Sequence, residues 1–116
     1  MTGSEIINRA WDMVGDVDTS IAMKRYKISD MVNYLNDGIR DLFYRRPGLL
    51  LSSDGTRNTF TALTISTYTT SVLTISDSYL EPLAHFIAAR IFETDSDDAN
   101  NKTMIENHRN QYIRNT

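Results

Sequence analysis

The chain has 116 residues, with 12 lysines and arginines against 15 aspartates and glutamates and a net charge of -3. That is length for one domain with a modest core, and the charge argues weakly against a dedicated nucleic-acid binder. Cysteine is absent, which excludes disulfides and thiolate metal sites and suits a reducing cytosol; with no basic-then-apolar leader after Met1 and no apolar run near the roughly 18 residues of a membrane span, neither secretion nor insertion is expected.

Thr2 and Glu5 have capping-box spacing before Ile6, Ile7, Ala10, Trp11 and Val14, which recur at helical period. Gly15 is a stop, so the first helix is predicted at about 3–15. Residues 16–27 read as a connector. Ser29 can cap a second helix, with Asp30 at the positive end of its dipole. Met31, Leu35, Ile39, Leu42 and Phe43 form its stripe and Pro47-Gly48 ends it, giving about 30–45.

The middle changes character: of the 25 residues from Ser52 to Ser76, 13 are Ser or Thr. Leu63 and Ile65 alternate with Thr64, and Leu73 and Ile75 with Thr74, the period of a half-buried strand pair. Residues 66–71 join them without the Gly or Asn-Gly of a tight turn, so a long mobile loop is expected. A third helix at about 80–93 starts at a Ser78/Glu81 capping box or at Pro82 and carries Leu83, Ala84, Ile87, Ala88 and Ile91. Asp95 to Asp98 breaks the pattern and supplies caps for a fourth helix, about 98–114. Its apolar face is thin (Met104, Ile105, His108, Tyr112), so its distal turn is expected to fray when the chain is alone. The order is α-α-β-β-α-α: mainly α, one domain over 1–116, with a central Ser/Thr-rich strand pair or hairpin.

Nothing in this order carries chemistry. His85 and His108 have no metal-spaced partner, and both read as helix-boundary or stripe residues. The five glycines form no phosphate loop. Asp95, Asp97 and Asp98 lack the central glycine and terminal glutamate of a calcium loop and read as a solvated cap. No catalytic residue, metal or cofactor is assigned, and the chain is not read as an enzyme. Two basic clusters, Lys24-Arg25-Tyr26-Lys27 and Arg45-Arg46, are of a kind that touches phosphate, but a solvated connector and a helix C-terminus account for them. Trp11 and Tyr44 read as core or boundary residues; a tryptophan on a short edge helix can also anchor a partner.

Charge is uneven. Residues 1–47 carry seven acids and seven bases, whereas Asp77, Glu81, Glu93, Asp95, Asp97 and Asp98 in 77–98 are opposed by Arg90 alone. This acidic shoulder repels DNA.

The run from Ile28 through Leu35-Asn36-Asp37-Gly38-Ile39-Arg40 to Leu42, closing with Arg46-Pro47, resembles the second helix of the head-to-tail adaptor proteins of tailed bacteriophages. A Ser/Thr-rich region ending Ser76-Asp77-Ser78-Tyr79-Leu80-Glu81-Pro82-Leu83 follows. The segment Ala88 to Asp95 and the Asn-rich helix from Ala99-Asn100-Asn101 to Tyr112 are similar to that family's last two helices. The resemblance covers nearly the whole chain and rests on helix-packing patterns in order.

What it implies is a structural virion protein at the head–tail junction, assembled in the host cytoplasm. Its partners are the portal protein, a tail or nozzle protein and itself, as a homo-oligomeric, dodecameric ring that continues the DNA channel without binding DNA specifically. On that reading Met104, Ile105, His108, Tyr112, Ile113 and Arg114 dock on the portal. Tyr68, Thr69 and Thr70 reach the tail or a neighbouring subunit, and Asp95, Asp97 and Asp98 face the lumen. Truncation after Asn110 is expected to leave a folded protein that no longer joins the portal. The alternative reading is a small DNA-binding regulatory protein; a winged-helix version wants a basic recognition helix, and the third helix carries only Arg90.

Overall fold

The computed structural model describes residues 1–15, 27–51, 54–57, 59–94 and 99–116, with the side chains of 99–101 outside that description. Among the described residues four α-helices form: α1 (Gly3–Met13), α2 (Ile28–Arg45), α3 (Leu80–Glu93) and α4 (Ala99–Arg114). Short 3-10 turns, Pro47–Leu50 and Asp77–Tyr79, follow α2 and lead into α3. The chain is mainly helical, as its periodicity predicts.

α3 is the central element and packs against each of the other three helices. Its sequence explains why. Ala84 and Ala88 are fully buried beside Leu83 and Ile87, and their small side chains let neighbouring helices come close on more than one side. α1 contributes Ile6, Ile7, Ala10 and Trp11, and α2 contributes Met31, Val32, Leu35, Ile39 and Leu42 to the same core. Full burial of each large aliphatic side chain contributes about 1.5–3 kcal/mol. Trp11 is 1% exposed, so it belongs to the core and does not project as an anchor.

The helix ends depart from the predicted capping. Thr2 is the N-cap of α1 but makes no side-chain cap bond. Instead the Ser4 N–H donates to the Tyr68 carbonyl at 3.0 Å, so the middle segment satisfies one of the orphan donors of that helix. The approach is close because position 3 is glycine: a Cβ there would sit 2.8 Å from Leu63 Cδ1 and 3.1 Å from the Tyr68 carbonyl oxygen. Gly15, at φ +77°, ends the first helical segment in the left-handed region as predicted. α2 starts at Ile28, so Ser29 lies inside it and does not cap it. Before α3 the cap is Ser76, whose hydroxyl accepts from the Ser78 N–H at 3.3 Å; Pro82 is buried in the first turn of that helix.

The strand pair expected at 63–65 and 73–75 does not form. The groups each strand would offer are engaged elsewhere. The Asn36 side chain takes both the N–H and the carbonyl of Leu63, at 2.9 Å each. Thr64 turns away, its carbonyl accepting from the Tyr68 N–H at 2.9 Å and its N–H donating to Thr67 Oγ1 at 2.9 Å. On the other side, the Leu73 N–H donates to the Met1 carbonyl at 2.8 Å, and Val72 makes an isolated bridge with Thr2. The supposed mobile loop is therefore a hydrogen-bonded run of turns over 65–70.

Candidate functional site

The candidate interface is α4 and the surface it sits on. The inner face of α4 is fixed at two points. Tyr112, 3% exposed, donates its hydroxyl to Asp41 Oδ2 on α2. The same carboxylate oxygen accepts from Arg45 Nε at 2.9 Å. The Arg45 guanidinium lies 5.6 Å from the Tyr112 ring centroid, and Phe86 meets the ring edge-on at 5.1 Å. Burial, reinforced by the Asp41 carboxylate, pushes the Tyr112 phenol well above its ordinary value of 10.0, so it remains a donor.

One turn earlier His108 is buried, with its Nδ1 2.7 Å from Nδ1 of His85 on α3. Its ring stacks on Phe92, with centroids 5.7 Å apart and planes 10° from parallel. Burial lowers the pKa of both rings; His85 adds to the lowering at His108, while Glu81 opposes it and Arg9 adds to it at His85. Outside these contacts Arg109 pairs with Glu93, and Arg46 Nε donates to the Thr116 carbonyl.

These contacts revise the predicted docking set. His108 and Tyr112 are turned into the chain's own core, Met104 and Ile105 are half-buried, and Ile113 and Arg114 are exposed. The distal turn of α4 is held rather than frayed. Truncation after Asn110 would remove Tyr112 from the core, so it is no longer expected to spare the fold. Of the predicted loop residues, Thr69 and Thr70 are exposed, but Tyr68 is buried against the core and does not reach outward. Asp95, Asp97 and Asp98 lie outside the described residues, as do Lys24, Arg25 and Tyr26 of the first basic cluster.

Three contacts escape a reading by periodicity. Asn36 had a signal: a polar residue at i+4 from Val32 and i-3 from Ile39 occupies a core position of α2 and needs a buried partner. The pairs Asp41–Tyr112 and His85–His108 join residues 71 and 23 positions apart, and nothing local marks either. A cleft of about 270 Å³ beside α4 is lined by Asp41, Arg45, Arg90, Glu93 and Arg109 among others; Asp41 pairs with Arg45 and Tyr112, Glu93 pairs with Arg109, and Arg90 lies over the Phe86 ring. Among the described residues no group of three His, Cys, Asp or Glu is placed to hold a metal, and no helix is long and apolar enough to cross a membrane. Comparison with known protein families, characterised proteins and solved structures finds no match to this chain.

Proposed function

We propose that the chain is a structural head-to-tail adaptor of a tailed bacteriophage, a ring-forming subunit between portal and tail through which DNA passes. The observation that best supports this reading is the use made of Leu35-Asn36-Asp37-Gly38, the core of the resemblance. Asn36 clamps the middle segment through Leu63, and Gly38 admits Phe86 of α3 so closely that a Cβ would lie 2.9 Å from its ring. The motif thus has a packing reason: it ties α2 to the middle segment and to α3. Exposed Ile113 and Arg114, with half-buried Met104 and Ile105, are the portal-facing residues on this reading, and exposed Thr69 and Thr70 face the tail or a neighbour. Asp95, Asp97 and Asp98 line the lumen.

The test is an N-terminally tagged pull-down from cells infected by the source virus, with co-purifying proteins identified by mass spectrometry. Portal and tail subunits in stoichiometric yield are expected. Recovery of nucleic acid, with a salt-dependent shift of duplex DNA by the purified protein, would replace the adaptor reading with the regulatory one.

A further inference from the structure

The geometry points to an acid-sensitive latch between α3 and α4, in which His85 and His108 share a single proton and a second proton releases α4. Two ring nitrogens 2.7 Å apart are at hydrogen-bond distance only if one carries a proton and the other a lone pair. Burial disfavours a charge on either ring, and with both rings neutral their tautomers are linked. The far nitrogen of His108, Nε2, is buried and has no hydrogen-bond partner among the described residues. An orphaned lone pair is tolerated more often than an orphaned N–H, so the favoured arrangement has His108 donating from Nδ1 to Nδ1 of His85, with Nε2 of His108 bare.

No site for a second proton exists in that arrangement. Protonation of His85 at Nδ1 sets two N–H groups against each other across 2.7 Å unless the His108 proton moves to Nε2, where it finds no acceptor among the described residues. Protonation of His108 at Nε2 creates an N–H at a buried nitrogen that has no acceptor among the described residues. The charged groups bearing on the pair do not relieve this. Glu81, on α3, favours a charged His85, and Arg9, on α1, opposes it; the two are paired with each other at 2.6 Å, and among the described residues the titratable group that bears on His108 is His85.

The sign follows. Both histidines sit below their ordinary value of 6.5 in the folded chain, so the released state binds more protons in that range. The closed state is fully favoured above pH 6.5 and loses ground as the pH falls below it, by up to about tenfold per pH unit for each proton taken up. α4 is the element that leaves, because its apolar face is the thinnest and His108 lies in the middle of it.

The inference does not rest on the adaptor reading and is tested on the purified full chain. Hydrogen exchange of α4 and α2 amides, corrected for intrinsic rates, is followed from about pH 7.5 to about pH 5. The expected result is a loss of α4 protection of about tenfold or more while α2 keeps its own. His108→Phe, which cannot be charged and retains the stack on Phe92, is expected to hold α4 protection level over the same range. Should that variant not fold, imidazole nitrogen NMR of the natural chain decides: two linked titrations below 6.5, with one ring holding its proton on Nδ1, support the latch. Unchanged α4 protection, simultaneous loss in α2, or two independent titrations at the ordinary value would each overturn it.

Discussion

Asn36 holds the backbone of Leu63 by both polar atoms of its amide, donating from Nδ2 to the carbonyl and accepting at Oδ1 from the N–H, each at 2.9 Å. A side chain on a helix thereby takes the place of a strand neighbour. Asn36→Leu keeps the volume and leaves two buried backbone groups without partners, at about 1–3 kcal/mol each. A loss of about 2–4 kcal/mol in urea denaturation is expected. A loss below about 0.5 kcal/mol would mean that the segment finds other partners and that Asn36 does not position it.

At Gly38, α2 comes close to Phe86 of α3. A Cβ at 38 would lie 2.9 Å from Phe86 Cδ1 and 3.3 Å from Cγ, near the root of the ring. In an open helix, Gly→Ala gains about 1 kcal/mol; here overpacking of about 1–3 kcal/mol outweighs it. Gly38→Ala is expected to destabilise, and Phe86→Leu, which is destabilising alone, to cost less when combined with it. A double-mutant cycle measures this coupling; additivity within about 0.3 kcal/mol would show that the two helices are not spaced by this contact.

The four helices were legible because each buries a stripe at helical period: Ile6, Ile7, Ala10 and Trp11 are all core, as are Met31, Leu35, Ile39 and Leu42. The strand pair was misread because alternation reports which side chains are apolar and not where the backbone bonds go. Leu63 is buried as alternation requires, yet its peptide belongs to Asn36, and Ile65 is 59% exposed. Likewise the thin apolar face of α4 was legible, but the contacts that hold it, to Asp41 and to His85, are polar and distant in sequence. Periodicity carries no information on such pairs.

Tyr68 illustrates the consequence for the loop. Its side chain is 6% exposed and packs in the core, while Thr69 and Thr70 are open to solvent. Tyr68→Ala is expected to cost about 3–5 kcal/mol, the scale of a buried aromatic, and Thr69→Ala and Thr70→Ala less than about 0.5 kcal/mol each. Thermal melts of the three variants check this. Equal melting temperatures would return Tyr68 to the surface set.

Tyr112 makes stability depend on alkaline pH. Its phenol is raised above 10.0 by burial and by Asp41, so above pH 10 the folded chain holds a proton that the unfolded chain releases. The contribution is fully present below pH 10 and is lost as the pH rises beyond it. Tyr112→Phe is expected to lose about 1–2 kcal/mol at neutral pH with the bond to Asp41, and to show a shallower fall above pH 10 than the natural chain. Urea midpoints measured across that range decide the matter; parallel slopes would mean that the other tyrosines carry the alkaline limb.

Ile113 and Arg114 separate docking from folding. Both are exposed on α4, Ile113 at 50%, while their neighbour Tyr112 is core. Ile113→Asp with Arg114→Glu removes a half-exposed apolar side chain and puts acids in the last turn of α4, where Arg114 favours the helix dipole, so stability should fall by about 1–2 kcal/mol and leave the chain folded. If this face meets the portal, a loss of two anchor contacts weakens capture by about tenfold or more. The measurement is retention of purified portal by the tagged variant and by the natural chain at equal folded concentration. Retained portal with the variant would remove α4's outer face from the interface, whereas loss of portal with the variant still folded would assign docking to these two residues rather than to the buried pair His108 and Tyr112.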